Sequence, residues 1–134
     1  MALGVDSSGL SRKVIGCAIA VHKELGPGLL EDTYERCLAY DLTAAGLEVR
    51  VQCPLPLKYR ELSVPFAYRV DLLVNNRLII ELKTVEKLTS LHAAQLLTYL
   101  RLSNQPTGLL INFYSLSLRH GIRRVYNSRA TTTQ

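Results

Sequence analysis

The sequence is poor in cysteine and has no apolar run long enough to cross a membrane. Its 3 cysteines, Cys17, Cys37 and Cys53, are odd in number and lack the close spacing of a zinc site. We expect reduced thiols, which favours the cytoplasm and argues against a disulfide-stabilised secreted domain. No stretch approaches the ~20 apolar residues of a membrane span, and the N-terminus lacks the basic and apolar regions of a signal peptide.

Internal repeats, low-complexity tracts and linkers are also absent. The 134 residues, of which 48% are hydrophobic and 20% charged, have the composition of an ordinary soluble protein. We therefore predict a single domain spanning 1–134, with a core from about residue 11 to residue 127 and flexible termini. The formal charge of +5 favours an anionic partner but does not identify one.

A pair of apolar strands in the middle of the chain carries charged residues where a core strand should have none. A three-residue loop at 75–77 keeps like residues together, and the asparagines there tolerate the left-handed backbone that such a loop needs. This register places Asp71 opposite Glu81, with Lys83 two residues further on. Its apolar pairs are Val70 with Leu82, Leu72 with Ile80, and Val74 with Leu78.

Two interpretations of these charges remain open. Carboxylates placed opposite each other repel, and a cation usually holds such a pair together. Oxygen ligands of this kind suit Mg²⁺ or Mn²⁺, so the pair is a candidate metal site. The alternative is a solvated hairpin face on which Lys83 forms an ion pair with Asp71 or Glu81, because E-x-K matches are common.

The remaining patterns predict helices before and after this hairpin. A helix between two strands of one sheet favours a parallel crossover, so the order ααβββαβ predicts a mixed four-stranded sheet with helices on both faces. Residues 121–126 fit either a short strand or a helix. The predicted helices are Ser11 to about Leu25, about Leu29 to Ala45, and Thr89 or Ser90 to about Ser103; the predicted outer strands are Glu48 to Tyr59 and Leu109 to Tyr114.

Several residues together carry a resemblance to a known family. Gly28, Glu31 and Tyr34 form the pattern G-x-x-E-x-x-Y, and residues 14–127 resemble the bacterial GxxExxY family, a minimal member of the PD-(D/E)XK nuclease superfamily. Val70 stands where the superfamily motif has proline. The other matching stretches are R-V-D-L-L-V, I-I-E-L-K, H-A-A-Q-L-L-T-Y-L and G-L-L-I-N-F.

The resemblance implies a three-layer α/β/α core of the restriction-endonuclease type and a Mg²⁺- or Mn²⁺-dependent nuclease acting on DNA. It implies that Asp71 and Glu81 bind the metal and that Lys83 assists the attacking water and stabilises the transition state. Glu31 matches an additional acidic ligand. The remaining implied residues are Gln95 and Tyr99 of the Q-x-x-x-Y element, with Gln95 catalytic and Tyr99 supporting, and Tyr34 and Glu35, also supporting.

Two other functional classes are compatible with the sequence. One is a catalytically inactive nuclease fold that binds nucleic acid or a protein, and the other is a structural interaction domain whose carboxylates form only salt bridges. Under the nuclease hypothesis, Lys58, Arg60 and Arg69 are candidates for backbone contacts with nucleic acid. A homodimer is a further expectation, because so small a core could build a cleft by pairing.

Overall fold

A five-stranded mixed sheet forms the centre of the protein, with its strands in the same spatial order as in the chain. The computed structural model describes residues 3–131, with side chains from residue 9 onward. Only β3 and β4 are parallel; the other neighbours are antiparallel. The elements are α1 (Leu3–Leu25), α2 (Glu31–Ala44), β1 (Val49–Tyr59), β2 (Leu62–Val74), β3 (Leu78–Lys83), α3 (Ser90–Ser103), β4 (Thr107–Asn112), a 3₁₀ turn (Leu118–Gly121) and β5 (Ile122–Tyr126).

Helices cover both faces of the sheet, as the sequence predicts. Val14 of α1 and Leu38 of α2 pack with Ile80 of β3 in one buried core. Leu96 of α3 packs with the adjacent Ile79 in a second core. Since successive side chains of a strand point to opposite faces, the sheet separates the two cores. None of the helices within residues 3–131 is both long and apolar enough to cross a bilayer.

Strand β4 is buried along its whole length, as its continuous apolar sequence predicts. It begins at Thr107, two residues before the predicted start. At Gly108 a β-carbon would lie 2.9 Å from a methyl group of Leu96, so glycine permits the close approach of α3 to the sheet. Thr89 caps α3, and its hydroxyl accepts a hydrogen bond from the His92 amide.

The structure corrects the predicted sheet and the predicted start of α1. Ile122–Tyr126 is a fifth strand, antiparallel to β4, so the sheet has five strands and not four. The first helix begins at Leu3, not at Ser11. Ser11 is a buried residue in the middle of α1, and its hydroxyl accepts a hydrogen bond from Arg124 Nε of β5. Flexible termini remain a prediction, because residues 1–2 and 132–134 lie outside the described residues.

The turn between β2 and β3 has the predicted length. Asn75 and Asn76 adopt φ of 51° and 54°, the left-handed conformation that asparagine tolerates. Leu72 pairs with Ile80, and Val74 pairs with Leu78, the turn-proximal half of the predicted register.

Candidate metal centre at a fork between two strands

Strands β2 and β3 separate beyond Leu72 and Ile80, their last regular pair. The predicted pairing of Val70 with Leu82 is therefore wrong. Val70 packs in the core beneath α3, whereas Leu82 packs in the core beneath α1 and α2. We call the point of separation, with Asp71 on one strand and Glu81 on the other, the fork.

The separation coincides with an irregularity in the neighbouring strand β1. Val51 pairs with Leu72 and Cys53 pairs with Val70, but Gln52 between them has φ of 49°. Uninterrupted alternation would send Cys53 and Val70 to the same face as Leu72. Both instead pack beneath α3. This break in alternation explains why the predicted register fails beyond Leu72.

Asp71 and Glu81 hydrogen-bond to each other's strands across the fork. The Asp71 amide donates to Glu81 Oε2 at 2.8 Å, and the Leu82 amide donates to Asp71 Oδ2 at 2.8 Å. These bonds take the place of regular ladder bonds and hold the two carboxylates side by side. The structure therefore brings together the two acidic residues that the sequence predicts to face each other.

Burial makes this acidic pair electrostatically unfavourable without a cation. Glu81 is 6% exposed. Desolvation and the nearby charge of Asp71 raise the pKa of Glu81 to about 8, although the Asp71 amide and Lys83 act in the opposite direction. Lys83, at the end of β3, is half-buried. The side chains at the fork thus favour binding of a further positive charge.

Helix α2 directs two more carboxylates toward the fork. Desolvation and the charge of Asp71 raise the pKa of Glu31, while Lys83 lowers it, so Glu31 lies within electrostatic range of both. Glu35, one turn later and buried, accepts a hydrogen bond from Gln52 Nε2 at 2.5 Å. Desolvation raises the pKa of Glu35 as well.

Tyr34 fixes the loop that precedes Glu31. Its hydroxyl donates to the Gly26 carbonyl at 2.5 Å and accepts from the Leu29 amide at 3.1 Å. Its ring stacks on Phe113, with centroids 4.5 Å apart, and the Phe113 amide donates to the Lys83 carbonyl at 2.9 Å. The motif tyrosine thus attaches the loop before α2 to Phe113, which in turn contacts the end of β3.

Gln52 is a member of the site that sequence reasoning missed. Its Nε2 donates to Asp71 Oδ1 at 3.2 Å as well as to Glu35. The amide thus bridges the acidic pair and helix α2. The only sequence signal is a polar residue between Val51 and Cys53, and nothing in it indicates the left-handed backbone that turns the side chain inward.

Helix α3 contributes the aromatic side chain of Tyr99 to the site. Desolvation and the charges of Glu81 and Asp71 raise the pKa of Tyr99, which places this tyrosine near the acidic pair. Its ring stacks on Tyr68 of β2, a contact that the sequence did not predict, with centroids 4.8 Å apart. Gln95, one turn earlier, is exposed and forms no hydrogen bond with the carboxylates in the described part of the chain.

The three basic candidates lie outside the fork, on the β1–β2 hairpin. Lys58 pairs with Ser63 near the hairpin turn, and Arg69 pairs with Pro54 closer to the fork. Arg60 occupies the turn, with its guanidinium carbon 4.9 Å from the ring centroid of Tyr59. All three cations are exposed.

Comparison with models of protein families identifies residues 8–125 as a match to the PD-(D/E)XK nuclease superfamily. The chain belongs to the PD-(D/E)XK nuclease superfamily. Neither the curated proteins nor the solved structures include a significant match. The superfamily expected from the motifs is thereby confirmed, and the mixed sheet between helices is consistent with a PD-(D/E)XK fold.

The PD-(D/E)XK fork has the donors that a hard divalent cation requires. Magnesium is commonly held by one or two carboxylates, with waters and substrate phosphates as the remaining ligands. Asp71 and Glu81 are such a pair, and because burial and the charge of Asp71 raise the pKa of Glu81, a bound cation would favour its ionised form. Among residues 9–131, no three His, Cys, Asp or Glu side chains lie close enough to enclose an ion. A ligand role for Glu31 therefore remains a prediction.

Proposed function

We propose that this protein is a metal-dependent nuclease that hydrolyses phosphodiester bonds in DNA, with Mg²⁺ or Mn²⁺ as cofactor. The observation that carries the proposal is the fork, where Asp71 and Glu81 are held side by side by each other's strands beside Lys83. Membership in a nuclease superfamily supports the same conclusion.

Each residue of the fork has a proposed role. Asp71 and Glu81 bind the cation, and Glu31 adds a carboxylate from α2. When bound, the metal supplies Lewis acidity, which polarises the phosphate and lowers the pKa of water. Lys83 would orient the attacking water and stabilise the negative charge that develops on the phosphate oxygens, as a compact cation can. Gln95 hydrogen-bonds the substrate from the exposed side of α3.

The supporting residues hold this arrangement in place. Tyr34 fixes the loop before Glu31, Glu35 anchors Gln52 beside Asp71, and Tyr99 limits access of water to the acidic pair from the α3 side. The role of Tyr34 supports assignment to the GxxExxY family within the superfamily. We further propose a cytoplasmic protein, consistent with its three free cysteines, that forms a homodimer.

The experiment that tests the function is a cleavage assay on end-labelled single- and double-stranded DNA and RNA, with Mg²⁺, Mn²⁺, Ca²⁺ or EDTA. We expect DNA cleavage with Mg²⁺ or Mn²⁺ and none with EDTA. Asp71→Asn should abolish cleavage and Lys83→Ala should lower its rate by about 10²–10³-fold, and both variants should keep the fold. Absence of cleavage on every substrate, with Lys83→Ala indistinguishable from the wild type, would refute the proposal.

An inactive binding module is the second candidate, favoured by the absence of three converging acidic or His/Cys ligands among residues 9–131. A crystal soaked with manganese separates the two. For the nuclease, oxygens of Asp71 and Glu81 should lie roughly 2.0–2.3 Å from one ion. Nucleic-acid binding that persists in EDTA without any cleavage would support the binding module.

A further inference from the structure

The β1–β2 hairpin extends beyond the fork as an arm, which we define as residues 55–69. Strand β2 pairs with β3 only at residues 72–74, whereas it pairs with β1 as far as the Tyr59–Leu62 pair at the turn. Leu55 and Tyr68, at the base of the arm, pack against the core beneath α3. Along the arm, the edge of β2 that faces away from β1 therefore has no strand-pairing partner in β3.

The surface of the arm is aromatic and basic. Phe66 is 76% exposed and Tyr59 is 56% exposed. The arm also carries exposed Lys58, Arg60 and Arg69 against a single acidic residue, Glu61, which gives it a formal charge of +2. The salt bridge between Arg36 and Asp32 lies on α2, and within residues 9–131 no ion pair neutralises the cations of the arm.

This combination of side chains matches one class of nucleic acid. Exposed aromatic rings beside cations bind single strands, because every unpaired base offers a face for stacking and the cations contact the phosphates. In a duplex the base faces are already stacked on each other, so Phe66 and Tyr59 would add nothing to backbone contacts.

We propose that the arm binds single-stranded nucleic acid, with Phe66 and Tyr59 stacking on unpaired bases and Lys58, Arg60 and Arg69 contacting phosphates. The inference rests on the proposed nuclease function and specifies its substrate as a single strand or an unpaired end. Phe66 is five residues before Asp71, about 17 Å along an extended strand. A strand of a few nucleotides bound on the arm would therefore reach the fork.

The test measures binding apart from cleavage. The probe is a labelled single-stranded oligonucleotide of about 16 nucleotides, the upper end of single-domain site sizes. Its fluorescence anisotropy is recorded with the wild type in EDTA and, as a second background, with Asp71→Asn. The same sequence annealed to its complement is the duplex probe. We expect tighter binding of the single strand.

Two sets of variants separate stacking from charge. Phe66→Ser and Tyr59→Ser should each weaken single-strand binding by about 5- to 100-fold and leave duplex binding unchanged. Tyr40→Ser, a matched control at an exposed tyrosine of α2, should bind as the wild type does. Replacing Lys58, Arg60 and Arg69 together with alanine should reduce the slope of log affinity against log salt by ~2, since each phosphate contact to a single strand contributes ~0.7.

The outcomes also distinguish this inference from the proposed function. Single-strand binding that depends on Phe66, without cleavage in any metal, would refute the nuclease function and leave the arm as a binding surface. Cleavage by the wild type with binding unaffected by Phe66→Ser would overturn the inference and leave the nuclease. If Phe66→Ser converts a dimer to a monomer in light scattering while oligonucleotide affinity stays unchanged, the arm is a protein interface and the inference is wrong.

Discussion

The two halves of the β2–β3 hairpin differ in what holds them together. Between Leu72 and the turn, the strands form a regular ladder whose side chains are buried and apolar. At the fork, carboxylate oxygens of Asp71 and Glu81 accept the backbone hydrogen bonds instead. The ladder half contributes stability through burial of apolar surface, whereas the fork concentrates negative charge that only a bound cation or a proton relieves. Four substitutions test this contrast.

The largest effect is expected in the ladder half. Leu72→Ala should lower the free energy of unfolding by about 2–5 kcal/mol, because it removes a fully buried side chain from the core beneath α1 and α2. Urea denaturation measures the change. Leu62→Ala, on the same strand but 59% exposed, is the matched control and should stay within about 0.5 kcal/mol. Equal losses for the two variants would contradict the assignment of stability to the buried apolar side chains of the ladder half.

The second prediction concerns activity at the fork. Lys83→Ala should lower the cleavage rate by about 10²–10³-fold, the usual loss when one group that stabilises a transition state is removed. Its urea midpoint should remain close to that of the wild type, because Lys83 is only half-buried. Lys87→Ala, an exposed lysine four residues later, controls for the loss of a positive charge. A large loss of stability with unchanged activity would support the salt-bridge interpretation instead.

The third prediction concerns pH in the absence of metal. The folded pKa of Glu81, about 8, lies above its ordinary value of 4.5, so between these values the folded state holds a proton that the unfolded state has released. Stability in EDTA should therefore decrease as pH rises from about 4.5 to about 8. Glu81→Gln should remove much of this decrease and raise the unfolding free energy at pH 8 by roughly 1–3 kcal/mol.

Added Mg²⁺ checks the cause of this pH dependence. It should restore the stability of the wild type at pH 8, because a cation favours the ionised carboxylate, and should have a much smaller effect on Glu81→Gln, which has lost one of the proposed ligands. A wild-type melting temperature in EDTA that rises from pH 5 to pH 8 would show that Glu81 is not the destabilising group.

The smallest effect is expected at Gln52. Gln52→Met keeps the approximate size of the side chain but removes both hydrogen bonds to Glu35 and Asp71. We expect metal affinity to fall by roughly 10-fold, as for other residues that orient metal ligands. Isothermal titration with Mn²⁺ measures it. Gln105→Met, which removes one hydrogen bond to the Asn76 carbonyl on the surface, should leave metal affinity unchanged.

The sequence predicted the ladder half better than the fork, for a physical reason. Alternation of apolar residues and the two asparagines of the turn are local signals, and they were sufficient to pair Leu72 with Ile80. The break in alternation at Gln52 accompanies hydrogen bonds to Glu35 and Asp71, which lie 17 and 19 positions away in the chain. No local sequence pattern encodes such contacts. Strand β5 was ambiguous because adjacent Arg123 and Arg124 interrupt alternation, and only its pairing with β4 identifies it as a strand.

The order of the strands also bears on how the site assembles. Each strand pairs with the one before it in the chain, and Asp71 and Glu81 are only ten residues apart. A loop of that length closes in about 10–100 ns, so the hairpin can bring the acidic pair together early in folding. Tyr99 belongs to α3, which follows the hairpin in the chain. During synthesis from the N-terminus, we therefore expect the acidic pair to meet before the helix that covers it has been made.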